Sequence, residues 1–125
     1  GLLPEFKGCS CVEWSIFNDK PVGNTLHWMD TGIDSGPIIS KHKTKCLYSD
    51  TYQNIRKRVY DDGSNVLVEL INLIMQSSLD VIRRNFSGKI CSGGNYFKPM
   101  DEISLKKVIY NVENHKYKFQ SESND

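Results

Sequence analysis

The chain has 125 residues, 38% of them hydrophobic and 25% charged, which suits one globular domain or a piece of one and leaves no second domain expected. Sixteen Lys and Arg against fifteen Asp and Glu give a formal charge of +1, so nothing in the balance pulls the protein toward nucleic acid or an anionic membrane. The richest apolar run, residues 66–75, is broken by Glu69 and Asn72 and is too short to span a bilayer, so no membrane partner and a cytoplasmic location are expected.

In chain order, residues 10–18 read as a short helix. Ser10 with Glu13 three positions on has the spacing of a capping box, and Val12, Ile16 and Phe17 share a buried face, with Trp14 also assigned to the core. NDKPVG is a turn, and residues 22–29 alternate as a strand with Leu26 and Trp28 on one face and Thr25 and His27 on the other. The stretch MDTGIDSGPII then sets Asp30 and Asp34 four apart, with Gly32 and Gly36 interleaved. Glycine allows close backbone approach, so the segment reads as a loop holding a carboxylate at a fixed place, with an ordinary acidic turn as the plain alternative. Residues 37–46 form a second strand, with Ile38 and Ile39 entering the core and KHKTK solvated.

From residue 50 to 76, Ile55, Val59, Gly63, Val66 or Leu67, Leu70 and Ile74 recur every three to four positions, which predicts one helix. The alternative is two helices meeting at residues 61–64. Residues 78–84 extend it by one or two turns, FSGKICSGGNYFKPMDEIS reads as an irregular loop with short β segments, and HKYKFQSESND as a polar tail. Cysteines at 9, 11, 46 and 91 lack a second closely spaced pair, and His27, His42 and His115 lack ligand spacing, so no metal is expected and the thiols are assigned as free and buried.

GLLPEFKG followed by CSCVEWSIFNDKPVGNTLHWMDTGIDSGPII resembles, in order and spacing, the core motif of the folate-dependent formyltransferases, and the detailed match runs from Gly1 to Ile39. The resemblance implies an α/β fold, the C-terminal part of a Rossmann-like formyltransferase domain with a short C-terminal β segment, divided at residues 1–85 and 86–125. It implies 10-formyltetrahydrofolate as co-substrate and no metal. Formyl transfer to an amine passes through a tetrahedral oxyanion that needs preorganised donors. The family supplies an Asn and a His in an N-x-H motif, which would fall just before Gly1, and an Asp matched by Asp34. The 125 residues alone are therefore expected not to turn over the formyl donor. By the same resemblance Met29, Asp30, Thr31, Gly32 and Ile33 border the pterin, and Lys7, Glu13 and His27 are candidates for the acceptor side. Lys7 stands where the family more often has Arg.

GLLP, the V-E-W helix and Y-F-K-P are most similar to the sugar N-formyltransferases, which act on nucleotide-linked amino sugars of bacterial surface polysaccharides. A homodimer through the C-terminal segment, with Tyr96, Phe97 and Pro99 as its candidates, is implied too. Methionyl-tRNA and glycinamide ribonucleotide formyltransferases are the neighbouring readings. A formyltransferase-like fragment without chemistry, serving as an interaction module, is the reading from another class.

Overall fold

In the computed structural model, which describes residues 1–85 and 92–123, the periodic stretch is one unbroken helix, α2 (Tyr52–Gln76). The turn signal in Asp61–Ser64 does not break it. Thr51 starts the helix with a capping box made with Asn54: the Thr51 hydroxyl accepts from the Asn54 N–H at 3.2 Å, and Asn54 Oδ1 accepts from the Thr51 N–H at 2.9 Å. The other elements are β1 (Phe6–Gly8), α1 (Cys11–Phe17), β2 (Gly23–His27), β3 (Ile38–Lys43), β4 (Cys46–Leu47), α3 (Leu79–Asn85), β5 (Asn95–Phe97), α4 (Glu102–Glu113) and β6 (Gln120–Ser121). The strands pair two by two: β1 with β5 and β4 with β6 in parallel, β2 with β3 antiparallel with an irregularity at Leu26/His27.

The core gathers Val12 and Ile16 of α1, Val22, Cys46, Tyr52, Ile55 and Val59 of α2, Val108 and Val112 of α4, and Tyr117. Only the first part of α2 reaches it. Gly63 marks where α2 crosses β2: a Cβ there would come within 2.8 Å of Asn24 Oδ1, and Asn24 Nδ2 donates to Val59 O at 2.6 Å. Beyond that crossing Leu67, Val68, Ile71, Leu73 and Met75 are exposed. Among the described residues no single helix is long and apolar enough to cross a membrane.

Several sequence expectations change. Ser10 makes no side-chain cap; its backbone is left-handed, and its hydroxyl accepts the Met100 N–H at 3.2 Å. The partner that would complete the box, Glu13, is drawn into the interior instead, where its Oε1 accepts from the Tyr52 hydroxyl at 2.5 Å and lies 3.2 Å from Arg56 Nε. Trp14 is half-buried, not core, and its indole N–H donates to Lys98 O. Ile38 and Ile39 are only half-buried. The second strand stops at Lys43, and Cys46 begins a separate short one. Cys9 is exposed, whereas burial pushes the Cys46 thiol up to about 11. The expectations for Cys91 and for a loop over residues 86–91, and the domain division at 85/86, lie outside the described residues.

The largest change is at the C-terminal end. The end of the stretch read as loop and the unassigned residues 105–114 contain α4, capped by Asp101 through the Ser104 N–H at 2.9 Å; α4 supplies Val108 and Val112 to the core, and the stretch read as polar tail supplies Tyr117. The Tyr117 hydroxyl donates to Lys20 O at 2.7 Å, and Asp19 accepts the Lys118 N–H at 2.9 Å, which ties this segment to the end of α1.

Asp50 fixes the approach to α2. It accepts the Leu47 N–H at 2.7 Å and a bidentate pair of bonds from Arg58 at 2.6 and 2.7 Å. Burial opposes its charge, but the Arg58 guanidinium and the Leu47 N–H outweigh burial and hold the carboxyl below its usual range. A carboxyl depressed in the fold contributes stability above its unfolded value of about 3.9, and the contribution is lost as pH falls below that. Replacing Asp50→Asn is expected to lower the urea midpoint at pH 7 by an amount equivalent to about 2 kcal/mol and to flatten the acid decline seen in the parent. An unchanged midpoint would count against the pair. By the same measurement Ile55→Ala should cost about 2–5 kcal/mol, while Leu67→Ala stays within about 0.5 kcal/mol.

Candidate active site

The stretch that carries the two aspartates is a loop strung between β2 and β3. Trp28 N–H donates to Pro37 O at 2.9 Å and closes its neck. Inside, Asp30 Oδ1 accepts the Ser35 hydroxyl at 2.6 Å and the Gly32 N–H at 2.8 Å. The Ser35 hydroxyl, followed by the Gly32 N–H, holds the Asp30 carboxyl below its usual range. Asp30 is thus a turn former whose charge is spent on its own loop.

Asp34 faces a different set of groups. Its backbone is left-handed, with φ of 53°. Its Oδ2 accepts the Gly8 N–H at 2.9 Å, and its Oδ1 lies 3.8 Å from His27 Nε2. The His27 and Asp34 side chains are 22% and 33% exposed, so the pair is shielded on one side and open on the other. His27 Nδ1 lies 3.0 Å from Trp28 O, an acceptor that requires a proton on Nδ1. Nε2 is then the nitrogen turned toward Asp34, and attraction there needs a second proton on the ring.

Met29 and Ile33, 93% and 66% exposed, flank the carboxylates with apolar side chains, and Thr31 and Gly32 are exposed beside them. The loop presents apolar side chains and backbone to solvent along one edge. The geometry therefore brings together Asp34, His27, Asp30, Met29, Thr31, Gly32 and Ile33. Lys7 is in β1, opposite Tyr96 and next to Gly8. Glu13 lies apart from this group: its carboxylate is buried, with Oε1 against the Tyr52 hydroxyl and Arg56. The Gly8 N–H on Asp34 was not foreseen, although the glycine closing L-L-P-E-F-K-G was its visible signal.

A cleft of about 830 Å³ lies nearby, walled by Leu2, Phe6, Pro21 and Phe97 with Lys20 and Lys43 at its edge. No residue of the 29–36 loop lines it, so it is not the seat of Asp34. Among the described residues no three His, Cys, Asp or Glu side chains gather as a metal site.

The model of the formyl transferase family matches residues 1–71, which includes β1, the loop and most of α2. The chain belongs to this formyl transferase family. Methionyl-tRNA formyltransferase of Clostridium tetani is 31% identical over 80 residues, 63% of this chain and 26% of that protein. Cytosolic 10-formyltetrahydrofolate dehydrogenase of Xenopus tropicalis is 30% identical over 109 residues, 86% of this chain and 11% of that protein. The crystal structure of the formyltransferase PseJ from Anoxybacillus kamchatkensis, in complex with UDP-4,6-dideoxy-4-formamido-L-AltNAc and tetrahydrofolate, superposes with a TM-score of 0.66 and 25% identity. That likeness covers 96% of this chain and 58% of PseJ, and the α/β fold is part of a Rossmann-like formyltransferase domain. The formyl transferase spans about a quarter of the length of the methionyl-tRNA formyltransferase it matches.

The two aspartates make a direct test of this geometry possible. Asp30→Ala removes the carboxylate oxygen that accepts both hydrogen bonds shaping the loop. Chymotrypsin is expected to cut the variant faster at Trp28 or Met29, and the urea midpoint is expected to fall below that of the parent. Equal cleavage rates would mean that Asp30 does not hold the loop.

Proposed function

We propose that this formyl transferase contributes to transfer of a formyl group from 10-formyltetrahydrofolate to the amine of a nucleotide-linked amino sugar, with Asp34 as its catalytic carboxylate. The observation that carries the reading is the placement of Asp34, anchored through one oxygen by Gly8 and open at the other beside His27. Bound 10-formyltetrahydrofolate would supply the formyl group, its nitrogen leaving with a proton after the acceptor amine has added to the formyl carbon. Met29, Thr31, Gly32 and Ile33 would border its pterin. The acceptor amine must lose a proton as it becomes an amide, and a fixed carboxylate with a free oxygen can take that proton directly or through water. The His that the family places before this chain would donate to the developing oxyanion.

The sugar as acceptor is supported by the extent of the likeness. PseJ, described with a nucleotide-linked formamido sugar, superposes on 96% of this chain with a TM-score of 0.66 and 25% identity. A homodimer through residues 95–99 also belongs to this reading: Tyr96 is exposed on β5, whereas Phe97 is committed within the chain. A cytoplasmic setting and the absence of a nucleic-acid partner belong to it as well, resting on composition and a net charge of +1.

In a protein joining this chain to the Asn and His that the family places before it, Asp34→Asn keeps the side-chain shape and removes the charge. Turnover at saturating amino sugar is expected to fall by a factor equivalent to about 2.7–4 kcal/mol, while Asp30→Asn costs mainly stability. Near-normal kcat in Asp34→Asn, or a larger loss in Asp30→Asn, would overturn the assignment. The 125 residues alone are expected to show no turnover.

A further inference from the structure

We infer that Gly8 is a positioning residue for Asp34, and that β5, near the other end of the chain, sets the direction of its N–H. Gly8 has a φ of 93°, a left-handed conformation that L side chains rarely adopt. A Cβ at this position would stand 2.4 Å from the Phe97 carbonyl oxygen, a backbone atom that cannot swing aside. That carbonyl is held in turn, since it accepts the Cys9 N–H at 3.0 Å, and Gly8 is paired with Phe97 in the parallel register of β1 and β5. The Gly8 carbonyl receives the Cys11 thiol at 3.5 Å, so the Gly8–Cys9 peptide group is held at both its N–H and its C=O. Pinned in this way, Gly8 turns its N–H onto Asp34 Oδ2 at 2.9 Å.

The consequence lies in which oxygen remains. With Oδ2 occupied, the carboxylate cannot rotate without losing a charge-assisted bond, and Oδ1 is the oxygen presented to His27 and to solvent. Gly8 touches no reacting atom and acts through Asp34. Its requirement for glycine therefore comes from close approach to β5 and from the aim of one N–H, not from flexibility. This role rests on the reading of Asp34 given above.

Two measurements test it separately from that reading. In the ¹⁵N-labelled 125-residue chain, titration from pH 7 to pH 3 should move the Gly8 amide proton resonance, because its acceptor loses charge, and Asp34→Asn should abolish that movement. A Gly8 amide indifferent to pH, or one that still titrates in Asp34→Asn, would overturn the inference. In the longer protein of the preceding test, Gly8→Ala should lower kcat about tenfold to a hundredfold, the effect of one hydrogen bond to a charged group, and leave the KM for the formyl donor unchanged. Parent-like kcat in a folded Gly8→Ala protein would also overturn it. If the longer protein transfers no formyl group at all, the functional reading fails while the titration still decides the role of Gly8. If Gly8→Ala does not fold, the titration of the parent and of Asp34→Asn decides it alone.

Discussion

Phe97 sits between two aromatic rings from the other end of the chain, stacked on Phe6 with centroids 5.2 Å apart and on Trp14 at 5.4 Å. The rest of the structure depends on this contact. It brings β5 beside β1, and the parallel pairing that results fixes both the backbone of Gly8 and the neighbouring Met100 N–H that reaches Ser10. Aromatic pairs of this kind add about 0.5–1.5 kcal/mol each beyond their area. That is modest, but it acts where loop closure is most expensive, across some ninety residues of chain. The loop between β2 and β3 meets this pairing at one remove, through the Gly8 N–H on Asp34.

Four carboxylates differ in how far the fold uses their acceptor capacity. Asp50 accepts three bonds, Glu13 meets Tyr52 and Arg56, and Asp30 accepts from Ser35 and Gly32. A carboxylate has room for about four such partners, so each of these is largely committed to its own fold. Asp34 has one hydrogen bond and a longer approach to an imidazole, and it stays partly exposed. Residual acceptor capacity is what distinguishes a group that can handle a proton from one that only holds the chain together.

Much of this was legible along the sequence, and the boundary is physical. Repeats every three or four residues announced α2 because helix packing is local, and the D-x-G-x-D-x-G-P spacing announced a loop between two strands that holds a carboxylate, because glycine and aspartate turn the chain within a few residues. What failed was decided from far away. Ser10 and Glu13 satisfy the local grammar of a capping box, but a backbone N–H ninety positions on and a tyrosine thirty-nine positions on claimed them instead. The helix α4 was missed despite its Asp101 cap and the apolar series Leu105, Val108, Ile109 and Val112, since the surrounding Gly, Ser and charged residues suggested a solvated tail. Tyr117 is buried there because its hydroxyl finds Lys20 O, a partner no local pattern reveals.

The uneven seating of α2 has a consequence for how the molecule breathes. Its first turns, with Ile55 and Val59 sealed in the core, can release their amide protons to solvent only when the whole fold opens, whereas the turns beyond Gly63 are flanked by exposed Leu67, Ile71 and Met75 and can fray alone. One continuous helix therefore spans two cooperative units. Hydrogen exchange along it would descend in steps from the global free energy of unfolding to nearly nothing, within an element that looks uniform by backbone geometry.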